Sequence, residues 1–152
     1  MFRKILVPTD GSPLSEKSAK AAIEFAARYE ASIITVAVAH QMPALAMPDA
    51  AGVLMMDDYE DAQDQVSRKH VNKVKAMADK AGVQCEVLIS RAEHPYQEIL
   101  STAKKKRCDL IWMASRARHG LEKLLLGSET QRVLSHTAIP VLVWQKESWD
   151  KV

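Results

Sequence analysis

The chain has little cysteine. Only Cys85 and Cys108 carry thiols among its 152 residues, and no C-x-x-C pair occurs. Each lies in or beside an apolar stretch, where an unpaired cysteine behaves as a small hydrophobic residue. This arrangement favours buried free thiols over a redox or metal-binding pair, and it indicates a reducing compartment. We therefore expect a cytoplasmic protein whose fold needs no disulfide.

Long apolar runs and an excess of one charge are also missing. The first apolar run ends at Pro8, so neither a signal peptide nor a membrane-spanning segment is expected. The net charge is only +2, and the 21 basic residues are spread evenly, so no nucleic-acid-binding surface is expected. The length is typical of one domain, residues 1–152, with a frayed tail at 145–152.

The motifs of several enzyme classes are absent from the sequence. It contains no G-x-x-x-x-G-K-[ST], no G-x-G-x-x-G after the first apolar run and no G-x-S-x-G. These absences disfavour a P-loop NTPase, a dehydrogenase and an α/β-hydrolase. No second His, Cys or acid lies at ligand spacing from His119, which disfavours a metal site there. We therefore predict no catalytic residue and no metal site.

A regular alternation of apolar runs and helical patterns is what the sequence does contain. Five short runs, bounded by polar residues, Pro or Gly, predict strands at residues 5–7, 32–39, 84–90, 110–114 and 141–144. Helical periodicity fills most of the segments between them. Because strands of this kind are typical of sheets buried on both faces, we predict an α/β fold with a parallel sheet and helices on both faces.

Local signals predict where the helices begin and end. Ser12 followed by Pro13 is an N-cap with proline at the first helical position. The methionine-rich segment from His40 to Met56 has no sustained period and predicts a long irregular connection, either a lid over a ligand or a surface loop. The acidic run at residues 57–61 then suits the positive end of a second helix, ending near Gly82, better than a divalent-metal site.

The strongest indication of a ligand lies between the last two predicted strands. Gly127 and Ser128 offer a permissive backbone position followed by an N-cap hydroxyl, and the helix that begins there contains Thr130. Free backbone N–H groups at a helix start attract anions. Glu129 argues against a phosphate, because it adds a carboxylate next to Ser128. The loop upstream is basic, with Arg116, Arg118, His119 and Lys123.

This segment resembles the nucleotide-loop signature of the universal stress protein family, in which Gly, two residues, Gly, nine residues and Gly precede Ser or Thr. The spacing matches in full, but both leading glycines are alanine, since the pattern falls on Ala114, Ala117, Gly127 and Ser128. The opening I-L-V-P-T-D-G-S and the closing H-T-A-I-P-V-L-V are also similar to the family. The resemblance implies strand order 3-2-1-4-5, of the Rossmann-like adenine nucleotide alpha hydrolase type.

The resemblance also implies a ligand, ATP or another adenine nucleotide, with Mg²⁺ only in its company. In nucleotide-binding members, the nucleoside end contacts the positions that match Pro8, Thr9, Asp10, Val38 and Met113. Ribose and phosphates are held at the positions that match Ala114, Ala117, Gly127 and Ser128, and Thr130 completes the candidate set. Each has a structural alternative, because Asp10 can close a turn, Val38 and Met113 can be apolar core, and Ser128 can be only an N-cap.

The two alanines bear on affinity. Glycine at such positions permits positive φ and close approach of the backbone to phosphates, whereas alanine adds a methyl group. We therefore expect Ala114 and Ala117 to weaken nucleotide binding without abolishing it.

Two functions remain open. The first is an adenine-nucleotide-binding regulatory module of the stress response, which Asp10, the basic loop and the helix start favour. The second is a dimeric interaction protein of the same family that does not bind nucleotide, which the two alanines and Glu129 favour. A homodimer is expected in either case, because the strand from Ile139 to Trp144 ends the sheet order and leaves an apolar edge for a two-fold mate. A further protein partner is expected, but nothing in the sequence identifies it.

Overall fold

The computed structural model describes residues 2–41, 50–115 and 126–145, with the backbone alone at 50–57. Strands and helices alternate along the chain. The strands are β1 (Lys4–Pro8), β2 (Ser32–His40), β3 (Cys85–Ala92), β4 (Leu110–Ser115) and β5 (Val141–Gln145). The helices are α1 (Pro13–Tyr29), α2 (Ala50–Lys80), α3 (Pro95–Lys105) and α4 (Ser128–His136).

All five strands are parallel and lie in one sheet with the order β3-β2-β1-β4-β5. The predicted fold class and strand order are therefore confirmed. Strand β1 lies at the centre, where Leu6 pairs with Ile34 of β2 on one side and Ile111 of β4 on the other. Helices α1 and α2 pack on one face of the sheet, and α3 and α4 pack on the opposite face.

The core consists of two layers that share the sheet. Ile5 and Val7 of β1 belong to the layer under α1 and α2, whereas Leu6 belongs to the layer under α3 and α4. The alternation follows from the strand geometry, in which successive side chains point to opposite faces. Helix α1 buries a face of alanine and isoleucine, and small side chains of this kind allow a helix to lie close to a sheet.

Helix α2 begins earlier than predicted. It starts at Ala50, so the prediction of an irregular connection is wrong for residues 50–56, while residues 42–49 lie outside the described part. Alanine, leucine and methionine in this segment are good helix formers. The acidic run is therefore not in the first turn of α2, and the prediction that it marks the helix start is wrong. Two acids of this region, Glu60 and Asp64, form ion pairs with Arg91 of β3.

Other local predictions agree with the structure or differ from it by a residue. Ser12 caps α1 through a hydrogen bond that its hydroxyl accepts from the Ser15 N–H, as predicted. Cys85 and Cys108 are buried free thiols, as predicted, and burial raises the pKa of each to about 11. Strand β5 extends through Gln145, which the sequence analysis assigned to the frayed tail. Residues 146–152 of that predicted tail lie outside the described part.

Within the described ranges, none of the helices combines the length and the apolar character that crossing a bilayer requires.

A buried hydroxyl in β2 leads to a stability prediction. Thr35 is fully buried, and its hydroxyl has no hydrogen-bond partner among the described residues. Valine has the same shape without the polar group, so Thr35→Val should raise the free energy of unfolding by about 1 kcal/mol. Urea denaturation measures the change. Thr102→Val is the control, because the buried Thr102 hydroxyl donates to Glu98 and its loss should destabilise the protein. A Thr35→Val protein that is less stable than the native one would contradict the prediction.

Candidate functional site

A cleft of about 410 Å³ opens at the carboxyl ends of β1, β2 and β4. The crossover after β1 leads to β2 on one side of β1, whereas the crossover after β3 leads to β4 on the other side. This edge is therefore the switch point at which parallel α/β sheets bind ligands. Of the ten predicted site residues, nine line the cleft, and Ala117 lies outside the described residues. The nine are Pro8, Thr9, Asp10, Val38, Met113, Ala114, Gly127, Ser128 and Thr130.

One end of the cleft is apolar. Val38 and Met113 line it together with four residues that the sequence analysis did not select: Leu14, Val36, Pro95 and Ile99. Val36 could have been found from the strand period, because it lies two residues before Val38 and therefore on the same face of β2. The others come from helices α1 and α3, and only the packing of those helices on the sheet brings them to the cleft.

The Asp10 carboxylate closes the turn that enters α1. Its Oδ1 accepts a hydrogen bond of 2.9 Å from the Ser12 N–H, so the structural alternative for Asp10 is realised. The residue also lines the cleft, and the two roles are compatible because a carboxylate has several acceptor sites. Burial acts to raise the pKa of Asp10, but hydrogen bonds from Ser12 and Ser15 outweigh it and hold the pKa below its ordinary value of 3.8.

The ionisation of Asp10 is therefore linked to folding. Because its pKa is lower in the folded chain, the carboxylate contributes stability that is complete above the ordinary pKa. That contribution is lost as the pH falls below the ordinary value and through the lower folded-state pKa. At neutral pH the cleft thus carries an ionised Asp10.

Three hydroxyl groups hold the backbone at the polar end of the cleft. The buried Thr9 Oγ1 lies 3.2 Å from Ser15 Oγ and accepts a hydrogen bond from the Gly11 N–H. Ser115, the last residue of β4, accepts a hydrogen bond of 3.1 Å from the Gly127 N–H and so joins the strand to the start of α4. Sequence reasoning missed Ser15 and Ser115 as lining residues. The available signal for Ser115 was its position directly after a buried strand.

Helix α4 begins one residue earlier than predicted. Gly127 is the N-cap, its carbonyl accepts the Gln131 N–H, and no side chain caps the helix. The prediction that Ser128 is the N-cap is therefore wrong, and its exposed side chain belongs to the first helical residue. Glycine is an acceptable N-cap, which explains the shift. The first N–H groups of a helix have no intrahelical acceptor, and residues 128–130 all line the cleft.

The strain argument for Ala114 does not apply. Ala114 lies within β4 and pairs with Trp144 of β5. Among the described residues other than glycine, positive φ occurs only at Glu30 and Arg107. Glycine at position 114 would thus relieve no backbone strain, and only the added methyl group remains as a reason for weaker binding. Ala117 lies outside the described residues.

The protein around position 127 does not require a glycine there. Its φ is −56°, and a Cβ there would meet only Ser115 and Thr130 side-chain atoms, at 3.9 and 4.0 Å. Those are ordinary contact distances, so an alanine would fit among the described residues.

Glu129 lies at the boundary between the cleft and the α3–α4 interface. Its Oε2 accepts a hydrogen bond of 2.9 Å from the Tyr96 N–H, in the first turn of α3, and its Oε1 lies 3.0 Å from Arg132 Nη1. The N-cap residue of α3, His94, makes no side-chain capping bond. Glu129 therefore satisfies an N–H group of α3 in its place, a role that the sequence analysis did not anticipate.

The charged side chains of the described cleft lining are acidic. The described lining residues include two acids, Asp10 and Glu129, and no lysine, arginine or histidine. The four basic residues predicted near the site, at positions 116, 118, 119 and 123, lie outside the described part. No cluster of three or more potential metal-binding side chains occurs in the described ranges.

The loop that contains Asp10 yields a prediction about Gly11. Its φ is +71°, and a Cβ there would lie 2.2 Å from the His70 ring of α2. Gly11→Ala should therefore lower the free energy of unfolding by more than about 2 kcal/mol, through backbone strain and overlap together. Gly82→Ala is a matched control, because Gly82 has φ +69° and open space around its Cβ. Gly82→Ala should lower the free energy of unfolding by about 1 kcal/mol, from backbone strain alone.

Thermal or urea unfolding of both variants tests the difference. In a His70→Ala background, Gly11→Ala should lower the free energy of unfolding by no more than Gly82→Ala does. Equal losses of stability for the two glycine variants in the native background would show that His70 does not restrict the loop.

The chain is similar to known proteins over most of its length. The model of the family described as "Universal stress protein family" matches residues 1–145. Universal stress protein MJ0531 of Methanocaldococcus jannaschii is 34% identical over 96% of this chain and 84% of its own length. Universal stress protein YxiE of Bacillus subtilis is 30% identical over 94% of this chain and 99% of its own.

Solved structures share the fold. One is a universal stress protein in complex with cAMP, with TM-score 0.71 and 22% identity over 96% of this chain and 99% of that chain. Another is the universal stress protein from Archaeoglobus fulgidus in complex with dAMP, with TM-score 0.64 and 14% identity over 94% of this chain and 97% of that chain. At these identities the likeness shows the fold alone.

Proposed function

The chain belongs to the universal stress protein family, as the loop spacing predicted, and on this premise we propose that its cleft binds an adenine nucleotide. In this proposal the protein is a regulatory binding module of the stress response. The observation that carries the proposal is that nine predicted contact residues, from β1, β2, β4 and α4, line one cleft. The solved structures with cAMP and dAMP support adenine nucleotides as the ligand class.

The two ends of the cleft suit the two parts of a nucleotide. Val38 and Met113 lie at the apolar end, which fits an adenine ring, whereas the start of α4 offers backbone N–H groups to ribose and phosphate. The volume of about 410 Å³ falls in the range of small-molecule sites. Gly127 supports this division, because the described protein atoms leave room for a side chain there and a closely approaching ligand would need that room.

The proposal is one of binding without catalysis. The hydroxyls of Thr9, Ser15 and Ser115 are engaged in hydrogen bonds within the protein, and the described lining residues include no histidine or cysteine. Mg²⁺ is included only as a companion of bound phosphates, which supply ligands of the kind it prefers.

An interaction protein that has lost the ligand is the second candidate. Two acids, Asp10 and Glu129, line the described cleft, and carboxylates oppose an anionic ligand. Under either candidate we propose a homodimer through the segment from Ile139 to Trp144. Strand β5 has β4 as its single neighbour in the described sheet, and its residues from Val141 to Trp144 are only partly buried. A two-fold mate would cover this apolar edge.

Ligand binding can be tested on Asp10. Adenine nucleotide should be released from the purified protein on denaturation, and the emptied protein should bind AMP in a calorimetric titration. Asp10→Ala should weaken binding about tenfold, a change of about 1.4 kcal/mol, because it removes both the carboxylate and the turn that positions it.

Asp10→Asn separates these two effects. Asparagine keeps an acceptor for the Ser12 N–H and removes the charge, so full affinity in this variant would assign Asp10 to the turn alone. A native protein that binds neither AMP nor ATP would make the proposed function wrong and favour the second candidate.

The dimer is tested by placing a charge on the exposed edge. The native protein should sediment as a dimer at micromolar concentration, and Val143→Glu should sediment as a monomer because a buried unpaired charge opposes association. Leu134→Glu is the control, because Leu134 is an exposed apolar residue of α4 and does not belong to β5. A native monomer, or a Val143→Glu dimer as stable as the native one, would refute the proposal.

A further inference from the structure

Two helix starts meet at one carboxylate in the cleft wall. Glu129 is the second residue of α4, and its Oε2 lies 2.9 Å from the Tyr96 N–H at the start of α3. Each helix start is a partly positive end that attracts an anion. The anion at both ends is therefore already supplied by the protein, in the form of Glu129.

Glu129 has one ion-pair partner among the described residues, and that partner does not line the cleft. The Arg132 guanidinium contacts Glu129 Oε1 and lies over the Tyr96 ring, 5.8 Å from its centroid. It is absent from the described lining, which contains Glu129 and Asp10 as its charged residues. A phosphate chain at the start of α4 would thus meet like charges without an opposing cation from the described lining.

From this geometry we propose that Glu129 determines the charge of the ligand. The site selects a nucleoside or a nucleoside monophosphate over a triphosphate. The inference rests on the proposed function, since it concerns which adenine ligand the same cleft accepts. A neutral ribose can use the N–H and hydroxyl groups at the polar end without approaching Glu129 as a like charge, whereas each added phosphate increases the repulsion.

A purely structural role for Glu129 predicts a different outcome. Glutamine in its place keeps an oxygen acceptor for the Tyr96 N–H and has nearly the same shape, so Glu129→Gln removes the charge and preserves the contact. If the residue only joined α3 to α4, the substitution would change the affinities for neutral and anionic ligands equally. A role in ligand selection changes their ratio.

The experiment measures the Kd of adenosine, AMP and ATP by calorimetry, without Mg²⁺, for the native protein and for Glu129→Gln. In the native protein, ATP should bind at least about tenfold more weakly than AMP, as repulsion of about 1.4 kcal/mol would produce. Glu129→Gln should remove most of this difference and leave adenosine affinity unchanged. Glu24→Gln is the matched control, because Glu24 is exposed on α1 and its loss changes the net charge alone.

The salt dependence of the native protein gives a second measurement that needs no variant. Because salt screens repulsion, ATP affinity should hold or rise between low and moderate NaCl. A steep fall would mean that cations dominate the site, and it would overturn the inference.

The remaining outcomes separate the two proposals. ATP binding as tight as AMP binding in the native protein, or an unchanged ratio in Glu129→Gln, would overturn the inference and leave the proposed function standing. Absence of binding by all three ligands to both proteins would overturn the proposed function and the inference together.

Discussion

Parallel pairing of β1 with β2 on one side and β4 on the other is the constraint on which the structure depends. Parallel strands need crossovers, so each of the first four strands is followed by a helix that packs on one face of the sheet. The carboxyl ends of β1, β2 and β4 lie at the same edge of the sheet. The cleft opens at this edge, and its apolar residues Val36, Val38, Ile99 and Met113 belong to the layer of core under α3 and α4.

The polar end of the cleft is held by hydrogen bonds between buried or part-buried groups. Thr9 and Ser15 join the end of β1 to the start of α1, and Ser115 joins the end of β4 to Gly127. These contacts between uncharged groups fix the backbone at the polar end without an ion pair. The charges present, on Asp10 and Glu129, accept hydrogen bonds from backbone N–H groups near helix starts. The two carboxylates thus hold N–H groups near the starts of α1 and α3, whereas no side chain caps the start of α4.

Much of the candidate site could be predicted from the sequence, because parallel α/β topology brings the carboxyl ends of the strands to one edge. The family resemblance then selected Pro8, Val38 and Met113, which lie near the carboxyl ends of β1, β2 and β4 and line the cleft. The start of α4 was predicted one residue late, since glycine and serine are both good N-caps and only the backbone conformation distinguishes them. The strain expected at Ala114 was wrong because the residue lies in β4, as the predicted strand at residues 110–114 already implied, and strand backbone does not require a positive φ.

By itself, the sequence determined the alternation of strands and helices, the cap at Ser12 and the burial of both cysteines. Those features depend on periodicity and on neighbours a few residues apart, which the sequence displays directly. Only the tertiary structure decided the partners of Arg91, which lie in α2, and of Glu129, which accepts from Tyr96 of another helix. Such contacts join residues that are distant in the chain. They exist only because α2 packs against β3 and because α3 and α4 pack on the same face of the sheet.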